Sequence, residues 1–156
     1  WAGGCELRVT PGSPPFPGKA FGFDVKCPAL LVWDPDGGKH TSNYIDDPSW
    51  KSKITNAGES AVNRLKQDEW NHNIWPTLLA EADEFALQSG LLDEPERAKL
   101  LHAVLEQSDN SMSCHLCMLG TSLIVLPKKL GINPDFDKIA SHLRSIGLGV
   151  RETILQ

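Results

Sequence analysis

The sequence predicts an α+β fold, and three observations predict it. Apolar and polar side chains alternate with a period of two in the first 70 residues, which also hold most of the Pro and Gly. From residue 71 the apolar residues recur at helical spacing, and Leu148 to Leu155 reads as a terminal strand. We expect a module over residues 1–70, a three-stranded antiparallel sheet with one packed helix. A mainly helical region over 71–156, winged-helix-like in the order of its elements, follows it.

The elements follow in order. Leu7 and Val9 alternate with Glu6, Arg8 and Thr10, the mark of a strand with one buried face. Pro11 to Lys19 is too rich in proline for helix or central strand. Phe21, Phe23, Val25 and Cys27 then alternate with Gly22, Asp24 and Lys26, and Ala29 to Trp33 continue extended beyond Pro28. Asp34 to Gly38 is a turn, so Lys39 to Ile45 is expected to return as the third strand. From Ser52 the period becomes helical, with Ile54, Ala57, Ala61 and Leu65 on one face. Pro76 suits the start of a helix that Gly90 stops, and Asp93 and Pro95 open another with Leu100, Leu101, Val104 and Leu105 inward. Residues 111–130 are apolar and fit either strand or helix. Asn133 and Pro134 start a last helix whose stripe is Phe136, Ile139, Ala140, Leu143 and Ile146.

Composition narrows the function. At 156 residues and 40% hydrophobic, the chain can bury a core and is no disordered polymer. No apolar run reaches the roughly 18 residues that span a bilayer, so no membrane role is expected. A formal charge of −5 argues against bulk electrostatic grip on a phosphate backbone. Four cysteines are too few for a disulfide scaffold, which points to a reducing, intracellular setting. If the first two strands share one core face, Leu7 faces Val25 and Cys5 faces Cys27, near enough for a disulfide or simple packing.

The stretch Gly12-Ser13-Pro14-Pro15-Phe16-Pro17, then Phe21 and Phe23, then Lys51-Ser52-Lys53-Ile54 with Ser60, Ala61 and Leu65, resembles the double-stranded-RNA-binding domain over about residues 5–66. The form is degenerate: the family's first helix would precede residue 5, and its loop histidine has no counterpart. The resemblance implies a β-β-β-α module that meets duplex RNA weakly through Lys51 and Lys53, with Lys19 in reach.

Other constellations are thin. Cys114-x-x-Cys117 with His115 between is a weak zinc candidate, since structural zinc needs four ligands and no second pair exists. Two buried core thiols are the simpler reading, and no cofactor is expected. No P-loop, dinucleotide fingerprint or nucleophile–histidine–acid order stands out, so catalysis is not expected. Between Glu81 and Asp109 eight acidic residues stand against Arg97 and Lys99, a solvated face or a dock for a basic protein partner. The expected function is thus a non-catalytic, RNA-associated binding module in a larger RNA–protein or RNA-processing assembly. A protein–protein adaptor on the same fold, or an accessory domain of an RNA-modifying enzyme, are the alternatives.

Overall fold

Ala29, Leu30 and Val32 are buried although neighbours in a strand point to opposite faces, so their strand is covered on both sides. It is the centre of the fold. The computed structural model describes residues 5–10, 18–37, 42–117 and 120–156. Within them the strands are β1 (Cys5–Arg8), β2 (Ala20–Phe23), β3 (Cys27–Trp33), β4 (Met112–Leu116), β5 (Ser122–Pro127) and β6 (Gly149–Leu155). The helices are α1 (Ser42–Ile45), α2 (Pro48–Leu65), α3 (Trp75–Gln88), α4 (Pro95–Leu105) and α5 (Asp137–Ser145). The fold is α+β.

The sheets are not the expected ones. β1 and β2 form a separate two-stranded sheet, and β3 joins a four-stranded antiparallel sheet in the order β4-β5-β3-β6. Leu30 lies opposite Val125 on one side and Glu152 on the other. The three-stranded sheet expected over 5–66 is therefore corrected: β3 takes its neighbours from beyond residue 70. The run from Phe21 to Trp33 breaks at Asp24–Lys26 into two strands of different sheets. The expected third strand is also corrected, because Ser42–Ile45 is helical; residues 39–41 lie outside the described residues, as do 11–17 of the proline-rich loop. Cys5 lies opposite Phe23 and Leu7 opposite Phe21, so Cys5 does not face Cys27 across a ladder. Both thiols are free.

Helices cover both faces of the large sheet. On one, Leu30, Val32, Leu123 and Val125 pack with Leu100 and Val104 of α4 and with Ile139, Ala140 and Leu143 of α5. On the other, Cys27, Ala29 and Leu126 pack with Trp75 and Leu79 of α3, whose Trp75 Nε1 donates to the Pro127 carbonyl at 2.9 Å. The β1–β2 hairpin closes over the far end of α2, Leu7 against Leu65 and Ile74. The ambiguous region 111–130 is the β4–β5 pair.

Helix boundaries follow local chemistry. α2 begins before the expected Ser52 because Asp47 caps it, accepting the Ser49 N–H at 2.7 Å with Pro48 in the first turn. α5 starts after Asn133-Pro134, since the Asp135 carboxylate accepts the Asp137 N–H at 3.0 Å and sets the first turn there.

One contact near the sheet end has a measurable consequence. Trp33 lies opposite Gly149, and a Cβ on Gly149 would stand 2.1 Å from the indole Cε2. Gly149→Ala is expected to push the ring, 38% exposed already, off the strand at a cost of roughly 1–2 kcal/mol. A shift in tryptophan emission with lower thermal stability is the expected readout. Unchanged emission and stability would contradict the contact.

Candidate functional site

The turn at the C-terminal end of β3 is polar and tied to its neighbours by hydrogen bonds. After Trp33 the chain turns through Asp34-Pro35-Asp36-Gly37, with the Asp36 N–H on Asp34 Oδ1 at 3.0 Å and the Gly37 N–H on the Asp34 carbonyl at 3.2 Å. A Cβ at 37 would stand 2.8 Å from the Asp34 carboxylate, so glycine lets the turn close on that side chain without displacing it. The Asp34 N–H donates to the carbonyl of the buried Thr121 at 3.1 Å, tying this turn to the β4–β5 connection. The Cys117 N–H, donating to Ser122 at 2.9 Å, closes that connection.

Beside the turn, between α4 and the connection from α5 to β6, lies a cavity of about 360 Å³. Leu100, Ala103, Ile146 and Leu148 form apolar walls, and Asp34, Asp36, Glu96 and Lys99 are its polar lining. Three carboxylates can accept hydrogen bonds from a hydroxyl or take a proton from it, and Lys99 offers one positive charge to an anionic oxygen.

A buried cluster fastens α1 to the start of α4. Tyr44 Oη donates to Glu94 Oε2 at 2.7 Å, and Arg97 Nε donates to the same oxygen at 2.8 Å. The guanidinium lies 5.0 Å from the Tyr44 ring centre, and Tyr44 meets Trp50 edge to face. Burial first, and the Glu94 bond next, push the Tyr44 phenol above its ordinary range. Arg97 Nη1 is buried without a hydrogen-bond partner.

The residues singled out in the sequence are scattered. Lys51 and Lys53 are exposed in the first turns of α2, Lys53 with its ammonium 5.6 Å from the Trp50 ring. Lys19 stands over Phe21 at the hairpin, which packs against the opposite end of α2. Cys114 faces α4 and α5, while His115 turns to α3 and bonds Asp83 through Nδ1 at 2.8 Å. Strand alternation thus keeps Cys114 and His115 from converging on one metal ion. Among the described residues no group of three His, Cys, Asp or Glu is placed to hold a metal. Burial raises the thiols of Cys5, Cys27, Cys114 and Cys117 above the ordinary range. Several acids of the helical half are engaged within the chain, Glu81 with Arg64 and Glu94 with Arg97 among them.

The residues that gather at the sheet end are ones that sequence reasoning passed over. Asp34 and Asp36 read there only as turn formers, and Lys99 only as one cation in an acidic half. For Thr121 the available signal was Leu-Gly-Thr-Ser between two apolar runs, which suits a hairpin connection.

No family model and no curated protein matches the chain. A solved structure titled "Phosphotransferase related to CoA biosynthesis pathway" does match it, with a TM-score of 0.61 and 21% identity over 98% of this chain. The shared property is the fold. The chain spans 48% of that protein's length. This finding overturns the expectation of a non-catalytic, RNA-associated module, because the neighbour with the same fold is named as an enzyme.

Proposed function

We propose that the chain works as part of a phosphotransferase in coenzyme A biosynthesis, and that the sheet end around Asp34 and Lys99 faces the phosphoryl acceptor. The observation that carries the proposal is the match along nearly the whole chain to a protein of that name. The acceptor is favoured over the nucleotide on charge. A nucleoside triphosphate needs several cations or a glycine-rich cradle, and the sequence has no G-x-x-x-x-G-K-[ST] loop. The cavity sets Lys99 against three carboxylates, a lining suited to a hydroxyl group and hostile to a polyphosphate. A carboxylate in reach of an alcohol can take its proton as the oxygen attacks the transferred phosphoryl group. Asp34 is the first candidate, since Thr121 and its own turn hold its backbone in place.

The test is transfer from Mg-ATP to a panel of hydroxylated coenzyme A precursors by the protein that carries this chain, followed by phosphorus NMR. One precursor is expected to give a phosphomonoester, with Asp34→Asn lowering kcat/KM by roughly 10²-fold or more, as loss of a positioned base does. No phosphomonoester with any member of the panel would contradict the proposal.

A further inference from the structure

The four-stranded sheet has two edges, β4 and β6, and the sequence equips them differently. The middle of β6 is Arg151 and Glu152, both exposed. A second copy pairing antiparallel about a two-fold axis at either residue would set like charges opposite each other, which is unfavourable. Charges placed this way commonly keep an edge from pairing. β4, by contrast, reads Met-Ser-Cys-His-Leu and holds no Asp, Glu, Lys or Arg. Among the described residues no strand pairs with its outer side.

That bare edge lies along a groove of about 390 Å³ between α3 and α4. Leu87 of α3 is 64% exposed and Leu105 of α4 is 52% exposed, and both line the groove with Met112 of β4. Two leucines displayed beside an unpaired strand form an apolar patch of the kind that interfaces cover. Asp83 and Lys128, of opposite sign, line the same groove. Asp83 sits at the level of His115, to which it bonds, and the Lys128 N–H donates to the Ser111 carbonyl at the other end of β4.

We propose that β4 is the contact between two copies of this chain, paired antiparallel about a two-fold axis near Cys114. The axis sets Met112 opposite Leu116 and Ser113 opposite His115, with no like charges opposed. It also brings the Asp83 end of each groove to the Lys128 end of the other, so one acid and one base suffice to make the patch complementary to itself. The two sheets then run on as one of eight strands, and the exposed leucines are covered.

Sedimentation equilibrium from about 1 to about 100 μM tests this, concentrations at or above the dissociation constants, micromolar and tighter, of interfaces of ordinary size. Twice the chain mass of 17.1 kDa is expected. Leu87→Asp with Leu105→Asp is expected to weaken association at least about 100-fold, because it buries unpaired carboxylates. Ile154→Asp, on the β6 edge, is expected to leave the dimer intact. Amide exchange on the unaltered chain gives an independent reading, with protection along β4 rising with concentration. A monomer across the whole range, a dimer that survives the leucine pair in a folded variant, or a dimer abolished by Ile154→Asp would each overturn the proposal.

Discussion

Glu94→Ala is expected to lower stability by roughly 3–5 kcal/mol, the cost of leaving a buried charge without its partner. Arg97 is only 2% exposed, and Glu94 is the carboxylate that meets its Nε. The same substitution takes the acceptor from the Tyr44 hydroxyl, so two polar groups lose a bond in a place water hardly reaches. Glu94→Gln keeps an acceptor oxygen while removing the charge, and should fall between the two. The contrast is Glu6→Ala, which breaks an ion pair to Arg8 in the open and should change stability by no more than about 0.5 kcal/mol. Urea unfolding of the three variants measures both effects. A Glu94→Ala loss below about 1 kcal/mol would mean the pair is not closed off as described.

The second large effect is Leu143→Ala, expected to cost roughly 2–4 kcal/mol. Leu143 is fully buried where α5 meets the sheet, among Leu30, Val32 and Val125. Truncation removes apolar contact and leaves a cavity that a strand-backed wall cannot easily fill. Ile45→Ala, on an exposed face of α1, is the control and should stay within about 0.5 kcal/mol. Equal effects of the two substitutions in a chemical melt would contradict the packing.

The α5 stripe was legible because a helix declares its buried face within a few turns of sequence. Phe136, Ile139, Ala140 and Leu143 of that stripe are buried as their spacing predicts, whereas Ile146, just past the end of α5, is 52% exposed. Strand partners are another matter. The alternation of Phe21, Phe23, Val25 and Cys27 runs straight through the break at Asp24–Lys26, so it suggested one long strand where the chain leaves one sheet for another. The signal that could have separated them was the unbroken apolar run Ala29 to Val32, matched later by Leu123 to Leu126. Such runs suit strands covered on both faces, which belong at the centre of a layered sheet and not in a three-stranded edge module. The pairing of β3 with β6 joins residues more than a hundred positions apart, and local pattern carries no information about it.

The candidate site was illegible for the same reason. Asp34, Lys99 and Thr121 belong to three separate stretches, each with an ordinary local explanation. They come together only because β3 and β5 pair side by side and α4 begins at the same end of the sheet. Lys51 and Lys53, which did attract notice, lie within one short stretch of sequence, which is what a family resemblance rewards.

The most direct test of the account is to locate the acceptor. The isotope-labelled protein would be titrated with the coenzyme A precursor that accepts phosphate, and its backbone amide shifts followed. The largest changes are predicted at Asp34, Gly37, Lys99 and Thr121. Changes concentrated instead at Lys19, Lys51 and Lys53, with the sheet end silent, would contradict the placement of the site.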